Sequence, residues 1–119
     1  MKVLVIEDNP SSMLVAKSIL ESQGHLVLTA FDAKLGMSLA KSEHPNLIIM
    51  DLELPDVDGF EATRTLKADQ QTAHIPVMAL TACAMPEDKK KAVLAGCDSY
   101  LSKPFRLEPF LAQVNGFEP

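Results

Sequence analysis

Short, unbroken apolar runs along the chain alternate with stretches in which apolar residues recur at helical spacing. Val3-Leu4-Val5-Ile6 is the first run, and its lack of polar alternation predicts a strand covered on both faces. Asn9-Pro10 then supplies a capping side chain and a proline suited to a first helical turn. Met13, Ala16, Ile19 and Leu20 form one apolar helical face, which Gly24 closes. The pattern then repeats. Residues 26–30 predict a second strand and residues 33–42 a second helix. Leu47-Ile48-Ile49-Met50 is the third and most hydrophobic run, followed by a helix that opens at Asp58-Gly59 and ends near Lys67. Residues 76–80 predict a fourth strand, residues 86–95 a fourth helix, and Tyr100-Leu101 a short fifth strand. In the last helix Leu107, Phe110, Leu111 and Val114 fall at i, i+3, i+4 and i+7, which predicts its buried stripe.

Alternation of this regularity implies parallel strands joined by right-handed crossovers, with helices on both faces of the sheet. The expected architecture is a doubly wound α/β sandwich, (βα)5, whose strand order periodicity leaves open. No repeat, low-complexity segment or linker interrupts the 119 residues, so residues 1–119 read as one domain. That length can bury a core without disulfides or metal staples. At 47% hydrophobic and 23% charged residues, the composition is that of a soluble globular chain. No apolar stretch nears the roughly 18 residues of a membrane span, and no leader pattern precedes the first strand, so the expected location is cytoplasmic. A net charge of −5 argues against direct binding of nucleic acid. The one basic cluster, Lys89-Lys90-Lys91, follows Glu87 and Asp88 in the order a helix dipole favours, and reads as a solvated face before it reads as a docking patch. Cys83 and Cys97 lack the number and spacing of a disulfide framework or a metal site, and are expected to be reduced and packed.

The chemistry gathers at the ends of the apolar runs. The first ends at Glu7-Asp8, the third at Asp51, the fourth at Thr81 and the fifth at Ser102-Lys103. In an open parallel sheet, ligands bind outside the carboxyl ends of the strands. Taken singly, Asp8 or Asp51 is as well explained by a turn or helix cap, Thr81 by strand-end packing, and Lys103 by a surface cation. Taken jointly, three carboxylates, a hydroxyl and an ammonium converge on one edge. Carboxylates held that close resist full ionisation, and a hard divalent cation such as Mg²⁺ relieves the repulsion through oxygen ligands while leaving room for phosphate. Lys103 offsets further negative charge without coordinating the metal.

These residues resemble a known signature. Glu7-Asp8, Asp51, Thr81 and Lys103-Pro104 match the receiver domain of two-component response regulators, the CheY-like superfamily. So does the turn Asp51-Leu52-Glu53-Leu54-Pro55-Asp56-Val57-Asp58-Gly59, with proline four and glycine eight positions after the acceptor. The resemblance spans essentially the whole chain. Segments His74-Ile75-Pro76-Val77 and Thr81-Ala82-Cys83-Ala84-Met85 are similar to the DivK-like group of single-domain regulators of cell development.

The resemblance implies a flavodoxin-like three-layer sandwich with sheet order 2-1-3-4-5. It implies a phosphoacceptor in phosphorelay signal transduction rather than a turnover enzyme, with autodephosphorylation limiting its lifetime. Asp51 is then the nucleophile that takes a phosphoryl group from a phosphohistidine, on a sensor histidine kinase or a histidine phosphotransfer protein. Mg²⁺, or Mn²⁺ in its place, is expected on Asp8, Asp51 and the main-chain carbonyl of Glu53, with Glu7 reaching it through water. Lys103 is expected to pair with the phosphoryl group, Thr81 to hydrogen-bond it, and the Ala82 amide to add a donor. Thr81 and Tyr100 form the implied switch: Thr81 moves toward the phosphoryl group and Tyr100 turns into the vacated space. That repacking alters the face of the fourth helix, fifth strand and fifth helix that a downstream protein reads. Glu53 and Cys83 occupy positions that influence dephosphorylation rate in this family.

Other readings are weaker. An aspartate-nucleophile phosphatase would use Glu53 as its acid, but the threonine and lysine positions fit a receiver better. A flavin or nucleotide binder needs a glycine- or hydroxyl-rich first loop, where this chain has Glu7-Asp8-Asn9-Pro10. A receiver that has lost phosphorylation should lack one of the required residues, and none is missing. His25, His44 and His74 each precede a predicted strand, which puts them at the edge opposite the acids in ordinary loop positions. Arg106 stands where a small cap is usual in the last helix, Pro109 falls in its first turn, and Gly116 ends it early. A phosphorylation-dependent homodimer is an assembly the resemblance allows, but so short a last helix weakens the case for one built on that face.

Overall fold

Each apolar run forms a strand or helix near its expected place, and the strand registers decide where the polar ends land. The computed structural model describes residues 1–82 and 85–118, so the expectations for Cys83 lie outside the described residues. Among those residues β1 (Lys2–Ile6), α1 (Pro10–Ser22), β2 (Leu26–Ala30), α2 (Ala33–Glu43) and β3 (Leu47–Asp51) come first. They are followed by α3 (Gly59–Ala68), β4 (Val77–Thr81), α4 (Pro86–Ala95), β5 (Ser99–Ser102) and α5 (Leu107–Asn115). The strands make one parallel sheet in the order β2-β1-β3-β4-β5. This is the expected flavodoxin-like order.

Because side chains alternate across a strand, the sheet has two separate apolar faces. Val3, Val5, Leu47, Ile49, Met78 and Leu80 pack with Met13, Ala16 and Leu20 of α1 and with Phe110 and Val114 of α5. Leu4, Ile6, Ile48, Met50, Val77 and Ala79 pack on the other face with alanines of α2 and α4 and with Ala62 and Leu66 of α3. The small residues on that second face let the helices lie close to the sheet. Gly36 of α2 shows how close: a Cβ there would stand 2.4 Å from Ile6 Cδ1.

Several local expectations change. The fourth strand runs over Val77–Thr81 rather than residues 76–80, because Pro76 has no amide to offer and its carbonyl instead accepts from the Ile48 amide at 2.9 Å. Placing Thr81 inside the strand buries its side chain at the sheet edge. In α5 the buried stripe narrows to Phe110 and Val114. Leu111 is only partly covered and Leu107, the first residue of the helix, is 53% exposed. Arg106 caps α5 in extended backbone geometry with no side-chain hydrogen bond, as expected of a residue without a short acceptor.

The histidines lie at the edge opposite the acids, but His25 is no ordinary loop residue. It is buried at 6% exposure, with Nδ1 3.0 Å from the Met1 nitrogen and Nε2 3.3 Å from a Glu118 carboxylate oxygen. His44 is exposed at the C-cap of α2 in a left-handed conformation, and His74 is exposed. Cys97 is half-buried, its thiol 3.9 Å from Thr63 Oγ1, and burial raises its pKa. No helix among the described residues is long and apolar enough to cross a membrane.

Candidate functional site

The parallel registers bring the ends of β1, β3, β4 and β5 to one edge. Beyond β1, the Glu7 amide still donates to the Ala30 carbonyl at 3.0 Å, which carries the pairing one residue further and turns the Glu7 side chain inward. Glu7 is 1% exposed. Its Oε1 accepts the Asn9 amide at 3.1 Å, while Asn9 caps α1 through the Ser11 and Ser12 amides. The first βα turn is therefore fixed at both ends, with Asp8 left exposed between them. Asp51, the last residue of β3, is 2% exposed, and its Oδ1 accepts the Glu53 amide at 3.0 Å.

Lys103 is placed by β5, its amide donating to the Thr81 carbonyl at 2.7 Å. Two residues on, Phe105 stacks on Phe110 with ring centroids 4.7 Å apart, which ties the β5–α5 loop to the core. From there the Lys103 Nζ reaches 2.6 Å from Glu7 Oε2 and 3.4 Å from Asp51 Oδ2. The first of these is an ion-pair contact rather than an aligned hydrogen bond, so the buried Glu7 Oε2 has no directed donor. Burial drives the Glu7 pKa from 4.5 up to about 7, helped by the Asp51 charge and opposed by Lys103 and the Asn9 amide. Burial also works against the Lys103 charge, but the Glu7 and Asp51 contacts outweigh it and hold that pKa above the ordinary lysine value.

One carboxylate oxygen from each of Glu7, Asp8 and Asp51 lies within 4.8 Å of the others. An all-oxygen set of this spacing, with an undirected buried carboxylate oxygen, fits a hard divalent cation. Thr81 is buried at the same edge, and Tyr100 is half-buried against the core layer formed with α2, α3 and α4. The structure thus brings together Glu7, Asp8, Asp51, Thr81 and Lys103, with Glu53 at the rim.

The loop between β3 and α3, residues 52–58, turns tightly just after Asp51. The Leu52 amide donates to Leu80 and the Gly59 amide to the Leu52 carbonyl, at 2.9 and 3.1 Å. The glycine is required: a Cβ on Gly59 would sit 2.4 Å from Leu52 Cα and 2.7 Å from the Asp51 carbonyl oxygen, both backbone atoms. Two side chains of this loop act in ways the linear pattern did not reveal. Glu53 Oε1 accepts the Ala82 amide at 2.7 Å, so the donor expected for a phosphoryl group already holds a carboxylate. Asp56 accepts the Ala33 and Lys34 amides at the start of α2, which pulls its pKa below the ordinary aspartate value. Phe105 was missed as well, although an aromatic two residues after Lys103 was a usable sign. A cleft of about 340 Å³ opens between this loop, Thr81 and Asp88, and another of about 390 Å³ between Ser11, Ser12, Val15, Ala82, Lys103 and Phe105.

Comparison with known proteins agrees with this geometry. The polar-differentiation response regulator DivK of Brucella ovis is 36% identical over 115 residues, 97% of this chain and 94% of that protein. The chemotaxis protein CheY4 of Vibrio cholerae superposes with a TM-score of 0.92 at 28% identity, over 98% of each chain. The receiver domain of the sensor histidine kinase PA1611 of Pseudomonas aeruginosa superposes at 0.90 with 32% identity, over 98% of this chain and 95% of that one. That structure has a magnesium ion coordinated in its active-site cleft. The response regulator receiver domain model matches residues 3–115, and on that match the chain belongs to this family of two-component signalling proteins.

Proposed function

We propose that the chain is a phosphorylation switch in which Asp51 is the acceptor. A carboxylate oxygen of Asp51 attacks the phosphorus of a phosphohistidine on a sensor histidine kinase or a histidine phosphotransfer protein. The new O–P bond forms as the P–N bond breaks, and the imidazole leaves with the electron pair. The observation that carries this reading is Lys103 Nζ, 3.4 Å from Asp51 Oδ2 and 2.6 Å from Glu7 Oε2, beside a cluster of three acids. Such a cluster favours neither a neutral ligand nor a bare anion, and suits a phosphoryl group brought in beside a cation.

Asp8, Asp51 and the Glu53 main-chain carbonyl would hold Mg²⁺ or Mn²⁺, with Glu7 acting through water. When bound, the ion supplies charge neutralisation at the phosphoryl oxygens. Lys103 then transfers its contact from Glu7 to the incoming group, and the Thr81 hydroxyl and Ala82 amide become donors once Glu53 gives way. Phosphorylation adds roughly 1.5 to 2 negative charges at this edge. Thr81 shifts toward them, Tyr100 follows, and the α4-β5-α5 face presents a different surface to a downstream protein. Receiver domains are signalling proteins rather than turnover enzymes, and here autodephosphorylation returns the switch to rest. The groove lined by Val15, Lys103, Pro104 and Phe105 is a largely apolar surface for a phosphodonor protein, next to the lysine that contacts Asp51.

The test is acetyl phosphate or beryllofluoride, with and without Mg²⁺, read by intact mass or NMR. The native chain should respond only with Mg²⁺, and Asp51→Ala not at all. A response that survives in Asp51→Ala places the acceptor elsewhere.

A further inference from the structure

We infer that Asp56 is a positioning residue for the metal-binding side of the site: it straps the acceptor loop to α2 and so fixes the Glu53 main chain. The inference rests on the reading of the site given above.

Its basis is the pair of bonds Asp56 makes. Oδ1 accepts the Ala33 amide at 2.9 Å and Oδ2 accepts the Lys34 amide at 3.0 Å, across more than twenty residues of sequence. An aspartate in a loop usually caps the helix that follows it, but here Asp58 already does so for α3, through the Phe60 amide at 2.7 Å. Nor does α2 lack a cap of its own, since Asp32 accepts the Leu35 amide at 2.8 Å. Asp56 therefore joins two elements rather than starting one. The positive end of α2 favours the carboxylate, and both oxygens are used, so the strap resists twisting as well as stretching.

Other anchors of the loop lie at its ends, at Leu52 and Gly59, and at Glu53, whose amide donates to Asp51 Oδ1 at 3.0 Å and whose side chain takes the Ala82 amide. The Glu53 anchor runs to Ala82, the amide that the phosphoryl group claims. When that bond opens, the Glu53 amide on Asp51 holds one side of the Glu53 carbonyl, and Asp56, three residues on, holds the other. Fixing a ligand-bearing carbonyl in advance lowers the ordering cost of binding an ion.

The experiment measures Mg²⁺ affinity of the whole chain by calorimetry, alongside thermal unfolding. Asp56→Ala is expected to weaken Mg²⁺ binding about ten-fold, the lower end for losing an outer partner of a metal site. Asp56→Asn, which keeps one acceptor oxygen, should fall between it and the native chain. Asp32→Ala removes the other α2 cap and should lower the melting temperature while leaving Mg²⁺ affinity unchanged. Native affinity in both Asp56 variants overturns the inference. So does an equal loss in Asp32→Ala, since any loosening of α2 would then suffice. A native chain that binds no Mg²⁺ instead overturns the reading of the site itself.

Discussion

Glu53 has two parts with different consequences. Its main chain belongs to the proposed metal site, while its exposed carboxylate takes the Ala82 amide at 2.7 Å. In the proposed switch, a phosphoryl group on Asp51 competes for that same donor. The contest is close to balanced, because a charge-assisted hydrogen bond is strong but an exposed glutamate gives up rotamer freedom to make it. Removing the carboxylate should therefore release about 1 kcal/mol toward the loaded state. Glu53→Ala is expected to bind beryllofluoride about five-fold more tightly than the native chain in an NMR titration with Mg²⁺. Unchanged affinity would mean that the Ala82 amide takes no part in holding the phosphoryl group. Lys103 differs from Glu53 in that its main chain is pinned to β4, the amide donating to the Thr81 carbonyl at 2.7 Å.

At the scale of elements, α5 shows how far a periodic pattern carries. The spacing identified the helix and two of its core residues, but it treated Leu107 as equal to Phe110. Phe110 is fully buried against β-strand residues of the α1 face, whereas Leu107 is 53% exposed and outside that core cluster. Phe110→Ala should cost about 3–5 kcal/mol in urea unfolding and Leu107→Ala less than about 0.5 kcal/mol. Comparable losses would show that the first turn of α5 packs as the pattern alone predicts. The strand runs and the polar residues at their ends were legible because burial on both faces leaves an unbroken apolar signature, and chemistry must sit where it stops. The straps were not legible. Asp56 on α2, Asp98 on the Val77 amide and His25 beside Met1 join residues far apart in sequence, and nothing in the local pattern marks an acid or imidazole as the partner of a distant backbone group. Strand order likewise came from the family resemblance, because neighbouring strands in a parallel sheet share no sequence signal.

For the molecule as a whole, the acidic edge sets stability against function, and pH separates the two. Glu7 faces the Asn9 amide on its own turn, Lys103 from β5, Asp51 from β3 and the adjacent Asp8. Burial among them raises its pKa to about 7 in the folded chain, against 4.5 in the unfolded one. Between those values the folded state binds more protons. Its stability is therefore full below pH 4.5 and declines as pH rises through 7, by at most on the order of 3 kcal/mol. The lowered pKa values of Asp56 and Asp69 act below the ordinary aspartate range and leave this window alone. In EDTA, the unfolding free energy from denaturant titration should fall between pH 5 and pH 8 in the native chain and stay level in Glu7→Gln. In the proposed metal site the ionised cluster is the form that binds a cation, so Mg²⁺ should stabilise the native chain more at pH 8 than at pH 5; at a hundred times the pH 8 Kd the whole stabilisation at pH 8 is about 2.7 kcal/mol. A metal-free chain that instead gained stability across this range would show that Lys103, not burial, governs Glu7. The site would then be a satisfied ion pair with little reason to take up a cation.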